Sequence, residues 1–382
     1  YTREDMIEIN AHGGMLITRE ILDCVVEQGA RMAEAGEFTK RAFLNGRIDL
    51  TQAEAVIDLI QAKSDLSAQT ALSQLEGSLS HKIQGLKDIL LRVKAHVETY
   101  LDFPEEDQTL YENVTLQEEL QTVLDECGAL IRSYSNGTIV REGLHTVIVG
   151  RPNVGKSSLL NVLLNRDRAI VSDFPGTTRD ALEEFIEIQG NLIRLVDTAG
   201  IIDSPRHQLD RLSILRTREY YERADLVLLV LDASQAVSSE DRDIIAAVKG
   251  KPTLVVCNKI DLGKKITERD IHSLFPSETR CVFLSAASRR GISDLEAYLV
   301  DFLWQGGKRS DGGMLTRLRH KKALQAADDL LRSALDGVRG GKAVELIACD
   351  ITDAVGSLRE LIGEVYTGDV LALIFEEFCI GK

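Results

Sequence analysis

The sequence predicts an α/β domain with a mostly parallel sheet, inserted into an α-helical domain. Between residues 145 and 304, short β-rich runs alternate with helical stretches, which is typical of a parallel sheet covered on both faces. On both sides of this region, apolar residues recur with a helical period. None of the six prolines lies before residue 104 or after residue 276, so long helices can occupy both ends of the chain.

The segment before the sheet carries the pattern of helices. Thr51 and Glu54 have the spacing of a capping box that would open one helix. From Leu72 onward, apolar residues recur every three or four positions, so we expect one long amphipathic helix ending near Asp102. Its stripe comprises Leu75, Leu79, Ile83, Leu86, Leu90, Val93 and Val97. Thr115 and Glu118 predict another capped helix before the sheet.

Six runs read as strands: 145–149, 185–188, 192–196, 226–232, 253–257 and 281–284. A turn at Gln189, Gly190 and Asn191 lies between the second and the third, so it predicts a hairpin and one antiparallel edge strand. After Trp304 the helical period returns. We therefore expect four parts, namely 1–48, 49–143, 144–304 and 305–382, of which the second and fourth are halves of one helical domain. Because the chain opens on Tyr1 in what reads as mid-sequence, we also expect an N-terminal segment to be missing.

Charge and composition argue against several classes of protein. The chain has 45 Lys and Arg against 60 Asp and Glu, a formal net charge of −15, which argues against coating nucleic acid or an anionic membrane by bulk charge. No apolar run approaches the roughly 20 residues that span a bilayer, so no membrane association is expected. The six cysteines lie far apart without a Cys-x-x-Cys pair, which favours reduced thiols in the cytoplasm.

Residues 150–157, GRPNVGKS, match the eight-position phosphate-binding loop and stand between a predicted strand and a predicted helix. The glycines allow backbone N–H groups to face phosphate oxygens, and the helix N-terminus adds a favourable dipole. Lys156 would then bridge the β- and γ-phosphates, and Ser157 would bind Mg²⁺.

Four further motifs follow in the order that a guanine-nucleotide switch needs. They are Gly176 to Thr178, Asp197 to Gly200, Asn258 to Asp261, and Ser285 to Ala287. A carboxylate at Asp261 can accept both the N1–H and the 2-amino group of guanine, whereas adenine offers neither donor. The predicted GTP-binding residues are Asn153, Val154, Gly155, Lys156, Ser157, Ser158, Ser172, Gly176, Thr177, Thr178, Asp197, Thr198, Ala199, Gly200, Asn258, Lys259, Asp261, Ser285, Ala286 and Ala287, with Ser157 and Thr178 as Mg²⁺ ligands.

The sheet domain resembles the translation-factor-related P-loop GTPases that carry NVGKS and GTTRD. The whole chain resembles the MnmE (TrmE) family of tRNA-modification GTPases. The residues that carry this resemblance are HGG at 12–14, GEFTKRAFLNGR at 36–47, DFPE at 102–105 and FCIGK at 378–382. The resemblance implies that residues 1–48 are the remnant of an α+β folate-binding and dimerisation domain.

The resemblance also implies a catalytic ion. Members of this family place K⁺ where other GTPases use an arginine finger, when two GTPase domains meet face to face. The matching ligands would be Asn153, Ser172, Phe174 and Thr177, although Asn153 could instead only shape the loop. Asp210 stands where the family has a water-positioning glutamate, and it could also be a solvated charge.

The resemblance also implies that Glu8, Arg47 and Lys382 contact a tetrahydrofolate, with Arg47 standing where the family has a lysine. Glu8 and Arg47 could instead be ordinary surface charges. Cys379 has either a covalent role or a structural one.

The function that the resemblance implies is a K⁺-dependent GTPase activated by dimerisation. With an FAD-dependent MnmG (GidA)-like partner in a heterotetramer, it would place an aminomethyl or carboxymethylaminomethyl group on C5 of the wobble uridine of certain tRNAs, using a tetrahydrofolate derivative as one-carbon donor. Two alternatives stay open here: a ribosome-assembly GTPase, which would need a KH-like RNA module after the GTPase domain, and a folate enzyme with a degenerate nucleotide domain.

The basic run Arg317, Arg319, His320, Lys321 and Lys322 could contact tRNA phosphates or form the solvated face of a helix.

Overall fold

A computed structural model of the chain describes residues 1–102, 114–167, 183–197, 220–275, 279–304, 313–379 and 381. The chain divides into two compact units. The helical unit comprises 1–61, 70–134 and 310–382, and the sheet unit comprises 62–69 and 135–309. The sheet unit therefore begins before, and ends after, the predicted segment 144–304, and the four-part division of the sequence stays a prediction.

The described helices include, in chain order, α1 (Met15–Glu27), α2 (Glu37–Leu44), α3 (Leu50–Gln61), α4 (Asp65–Leu75), α5 (Ser78–Asp102), α6 (Val114–Glu142), α7 (Lys156–Asp167), α8 (Ser239–Val248), α9 (Glu268–Leu274), α10 (Ile292–Trp304), α11 (Leu318–Gly340), α12 (Val344–Ile362) and α13 (Gly368–Glu376). The strands are β1 (Leu144–Val149), β2 (Glu183–Ile188), β3 (Asn191–Asp197), β4 (Leu226–Asp232), β5 (Thr253–Asn258) and β6 (Cys281–Phe283).

The core of the helical unit is formed by α5, the first part of α6, α11 and α12. The apolar stripe of α5 is buried as its spacing predicts, with Leu79, Ile83, Leu90, Val93 and Val97 fully enclosed. A second cluster joins α2 and α3 to α13. The prediction that helices from both ends of the sequence form one domain is thereby confirmed.

Two local predictions in this unit are wrong. The expected long helix is interrupted at Gly77, whose φ of +94° lies in a region that favours glycine, so α4 ends and α5 begins there. The capping box belongs to Asp49 and Gln52 instead of Thr51 and Glu54. The Asp49 carboxylate accepts from the Gln52 N–H at 2.9 Å, and the Gln52 side-chain oxygen accepts from the Asp49 N–H at 3.0 Å.

The sheet unit has a six-stranded sheet in the order β2-β3-β1-β4-β5-β6. All neighbours are parallel except β2 and β3, which form the predicted antiparallel hairpin at the edge. Every residue of β4 is buried. Leu228 packs into one apolar cluster with α7 and α10, whereas Leu229 packs into another with α8 and α9. The sheet is therefore covered on both faces, as a parallel sheet requires.

Three residues of the basic run at the start of α11 form neither a phosphate-binding patch nor a solvated helix face, whereas Lys322 is exposed. Arg317 and His320 are buried, and Arg319 is half-buried. They pair with two acidic residues of α3 in what we call the charged cluster, comprising Glu54, Asp58, Arg317, Arg319 and His320. Arg319 donates to both Glu54 oxygens at 2.8 and 3.0 Å, and the His320 Nε2 lies 2.5 Å from Glu54 Oε2. The two guanidinium groups are thus paired with carboxylates inside the unit, and His320 contacts the same carboxylate as Arg319.

Replacing Glu54 with Gln is expected to destabilise the protein by about 3–5 kcal/mol near neutral pH, because the half-buried Arg319 guanidinium loses its carboxylate partner and the buried His320 loses its hydrogen-bond partner. Burial alone raises the pKa of Glu54, but the charges and hydrogen bonds of His320 and Arg319 outweigh it and hold that pKa well below its ordinary value of 4.5. The stabilisation is therefore present above pH 4.5 and is lost as the pH falls through the folded-state pKa. Urea unfolding of wild type and variant at several pH values measures it, with exposed Glu345→Gln on α12 as control. A free-energy difference that stays constant down to strongly acidic pH would contradict this assignment.

Candidate nucleotide-binding site

The phosphate loop connects β1 to α7 and lies against β4. Gly150 has φ +154°, and a Cβ at this position would come within 2.4 Å of the Val230 carbonyl oxygen. A side chain would therefore force the loop away from β4, and the first position of the motif requires glycine for this packing reason.

The end of the loop is equally close to a second element. Gly155 has φ +101°, and a Cβ there would lie 2.2 Å from the Asn258 Nδ2. Asn153 also has a left-handed backbone, with φ +63°, and its side chain is exposed. The sequence between β1 and α7 is thus folded into a tight loop that ends at the N-terminus of a 12-residue helix, where backbone N–H groups favour an anion.

Lys156 points back along this loop. Its Nζ donates to the carbonyl oxygens of Gly150 and Arg151 at 2.8 and 3.0 Å, and the residue is only 7% exposed. Ser157 and Ser158 follow on the first turn of α7 and are exposed. The ammonium group is therefore held inside the curve of the loop, where the motif predicts the phosphates to bind.

Asn258 connects the phosphate loop to the last loop of the sheet. It is 2% exposed at the end of β5, and its Nδ2 donates to the Val154 carbonyl at 2.9 Å. Its Oδ1 accepts from the Ala286 N–H at 3.0 Å. One buried amide side chain thus joins residues 154 and 286, two motifs that are far apart in the sequence.

Lys259 occupies the next position, and its ammonium group is held by two hydrogen bonds. Its Nζ donates to the Asn153 carbonyl at 2.6 Å and to Asp232 Oδ2 at 2.8 Å. Burial tends to raise the pKa of Asp232, but the hydrogen bonds from Lys259 and Ser234 prevail and lower it. The sequence reasoning missed Asp232, although an aspartate ending a fully buried strand was an available signal.

Asp261 lies in a single 3₁₀ turn, Ile260–Leu262, and is exposed. The Ile260 N–H donates to the Leu284 carbonyl at 3.3 Å, which brings this turn beside the Ser285 to Ala287 loop. Ser285 is fully buried and accepts from the Ser288 N–H at 3.1 Å, so the loop is held in place while Asp261 remains accessible. The arrangement leaves a carboxylate free to accept from a base.

Asp197 ends β3 and pairs in register with Ile148 of β1, two residues before Gly150. This places it at the carboxyl edge of the sheet beside the phosphate loop, the usual place for ligand contacts in open α/β sheets. The other predicted residues of the phosphate and ion site lie outside the described residues, as does Lys382. They are Ser172, Phe174, Gly176, Thr177, Thr178, Thr198, Ala199, Gly200 and Asp210. Within the described ranges, no group of three or more His, Cys, Asp or Glu side chains is placed to hold a metal ion.

The two predicted folate residues that the structure describes, Glu8 and Arg47, are exposed. Glu8 is open to solvent, and the Arg47 guanidinium lies 5.1 Å from the ring centre of Tyr1. A cavity of about 320 Å³ occurs in the same region, but its lining includes neither residue; it is formed by Thr2, Glu4, Asp5, Met6, Ile7, Arg31, Ala33, Glu37, Phe38 and Arg41. Cys379 is exposed. The roles of these three residues stay predictions.

None of the helices in the described ranges is both long and apolar enough to cross a membrane.

Comparison with known proteins covers the whole sequence. A family model described as "MnmE helical domain" matches residues 50–379, and one described as "GTP-binding protein TrmE N-terminus" matches residues 1–47. A protein named "tRNA modification GTPase MnmE" from Thermoanaerobacter sp. strain X514 is 43% identical over 383 residues, which are 100% of this chain and 83% of the relative. Its counterpart from Ligilactobacillus salivarius is 44% identical over 385 residues, covering 100% and 82%.

Among solved structures, Era from Aquifex aeolicus bound to GDP and AlF4− is 30% identical, with 48% of this chain and 65% of Era covered at a TM-score of 0.33. The family assignment rests on the sequence relatives, whose similarity extends from the first residue to the last. Because this similarity extends over its full length, the chain belongs to the MnmE/TrmE family of tRNA modification GTPases.

Proposed function

We propose that this protein binds and hydrolyses GTP and takes part in the modification of tRNA. The observation that carries the nucleotide part is the Asn258 bridge, which links the phosphate loop to the loop beside Asp261. The shared name of the two relatives supports the tRNA part.

In this proposal the residues of the sheet unit act mainly by positioning. Lys156 and the N–H groups of the loop bind the phosphates, Ser157 and Thr178 hold Mg²⁺, and Asp261 selects guanine. Mg²⁺ supplies neutralisation of the charge that develops on the phosphate oxygens. Asp210 orients the attacking water in place of the family's glutamate.

The finer proposal concerns K⁺ and dimerisation. We propose that Asn153, Ser172, Phe174 and Thr177 form a K⁺ site when two GTPase domains of a homodimer meet. Asn153 fits this role because its amide is exposed while its backbone carbonyl is fixed by Lys259. An amide oxygen is a suitable ligand for a hard cation.

GTP hydrolysis is expected to be about tenfold or more faster in K⁺ than in Na⁺ at equal ionic strength, because Na⁺ is too small for the same oxygen cage and a cation at this position replaces an arginine finger. Asn153→Lys is expected to remove the K⁺ dependence or the activity, and phosphate release measures both. Asn161→Lys, at an exposed position of α7, is the matched control for an added lysine. Equal rates in the two salts for wild type, or unchanged stimulation of Asn153→Lys, would contradict the ion site.

For the tRNA reaction we propose a cytoplasmic complex with an FAD-dependent MnmG-like protein that acts on C5 of the wobble uridine. Glu8, Arg47 and Lys382 would hold the tetrahydrofolate derivative, and Cys379 would act in the modification step. Mass spectrometry of wobble uridines in cells with and without the gene tests this function. Identical nucleoside profiles would overturn the tRNA proposal and would leave GTP hydrolysis to be judged by phosphate release.

The alternatives have less support. A ribosome-assembly GTPase would need a KH-like module with strands after the sheet unit, whereas the described residues 313–379 form α11, α12 and α13 and match a helical domain. A folate enzyme with a degenerate nucleotide domain would not need Asn258, Lys259 and Asp261 in an ordered base loop.

A further inference from the structure

The turn that follows α13 is bound to the loop before α2. We call residues 377–379 the tail turn. The Gly36 N–H donates to the Cys379 carbonyl at 3.3 Å, and the Phe378 N–H donates to the Phe375 carbonyl at 3.1 Å. The backbone on both sides of the tail turn is thus fixed by hydrogen bonds that amide exchange can report.

The contact at Gly36 is close as well as bonded. Gly36 has φ +64°, and a Cβ there would lie 2.9 Å from both Phe375 and Phe378. These two rings are 5.2 Å apart between centroids and are almost completely buried in the cluster with α2 and α3. The tail turn therefore has a defined position within the helical unit.

Arg317 of the charged cluster extends to this turn. Its Nη2 and Nε bind Asp58 at 2.7 and 3.2 Å, and its Nη1 lies 3.3 Å from Glu377 Oε2. The Arg317 side chain is 10% exposed, whereas that of Glu377 is 54% exposed. Two nitrogens of the guanidinium thus bind a buried carboxylate, and the third binds the tail turn. A lysine has a single nitrogen and could not bind both groups in this way.

We propose that Arg317 is a positioning residue for the tRNA modification step, in which Asp58 fixes its guanidinium and the guanidinium holds the tail turn and Cys379 against Gly36. This inference rests on the proposed function, because it is the proposed role of Cys379 that makes the position of the tail turn matter. Arg317 itself contacts no reacting atom, so its effect is expected on modification and not on GTP hydrolysis.

The test compares Glu377→Gln with Glu376→Gln, a neighbouring exposed residue that serves as the matched control. In the full-length protein, hydrogen exchange at the Gly36 and Phe378 amides is expected to be about threefold faster in Glu377→Gln, the size of effect typical of one partly exposed ion pair. Wobble-uridine modification in cells carrying this variant is expected to fall, while GTP hydrolysis and melting temperature remain as in wild type. Arg317→Lys is expected to speed this exchange and reduce modification more strongly, and also to lower the melting temperature, because it weakens the buried pair with Asp58.

Unchanged amide exchange in Glu377→Gln would overturn the inference, and so would faster exchange with undiminished modification. Because Glu377 is exposed, this variant gives an answer even if Arg317→Lys fails to fold. Failure of the proposed function looks different: wild-type cells and cells without the gene would then carry the same wobble uridines.

Discussion

Asp261→Asn is expected to weaken GTP binding by about 10²–10³-fold and to make the protein prefer xanthosine triphosphate. The carboxylate accepts two hydrogen bonds from guanine, whereas an asparagine amide directs a donor at the 2-amino group and leaves a donor without a partner. Xanthine has a carbonyl in place of that amino group, so the asparagine can donate to it and still accept from N1–H. The preference for GTP over xanthosine triphosphate should therefore shift by about 10⁴-fold or more.

Competition binding with fluorescent GDP and unlabelled nucleotides measures this preference. Asp243→Asn, at an exposed position on α8, controls for the loss of one negative charge. If the ratio of the two affinities were the same in Asp261→Asn and wild type, Asp261 would not contact the base, and the base loop would have to be assigned differently.

Gly155→Ala is expected to abolish most nucleotide binding while the protein stays folded. The added Cβ would overlap the Asn258 Nδ2 at 2.2 Å, so Asn258 would have to leave its buried position between Val154 and Ala286. Strain at a left-handed position costs about 1–3 kcal/mol, and each buried polar group that loses its partner costs about 1–3 kcal/mol. Part of this cost falls on the binding-competent arrangement, which predicts an affinity loss of about 10²-fold or more.

Gly250→Ala separates backbone strain from the overlap with Asn258. Gly250 has φ +104°, close to the +101° of Gly155, but a Cβ there would meet no atom within 4 Å. Isothermal titration with GDP and thermal unfolding of both variants measure the two effects. Both substitutions should lower the melting temperature, and only Gly155→Ala should greatly weaken GDP binding; equal affinities in the two variants would contradict the role assigned to Asn258.

The sheet unit was predictable because its signals are local. A phosphate loop can be recognised from eight consecutive residues. The turn from Gln189 to Asn191 likewise predicted the antiparallel edge strand, in which Ile186 pairs with Ile193. The base loop could likewise be predicted from Asn258, Lys259 and Asp261, since Asn258 ends a recognisable strand and the other two residues follow it directly.

The features that sequence did not predict depend on partners distant in the chain. Asp232 gains its role only because β4 and β5 are neighbours, which brings Lys259 to it. Arg317 and His320 looked like solvated or phosphate-binding charges, although the spacing of His320 to Leu324 put it on the buried face of α11 and Arg317 directly precedes that helix. Apolar periodicity alone could not show that Glu54 and Asp58 would be there to neutralise them.

The single amide of Asn258 has a thermodynamic consequence for how ligand fragments bind. Since it ties residue 154 to residue 286, a rearrangement of either loop changes the free energy of the other. Guanosine and pyrophosphate added separately should each bind more weakly than their share of the intact nucleotide suggests, and saturation with one should improve the affinity for the other. Recognition of the whole molecule is then cooperative between its two halves, so that triphosphates with the wrong base lose affinity at both.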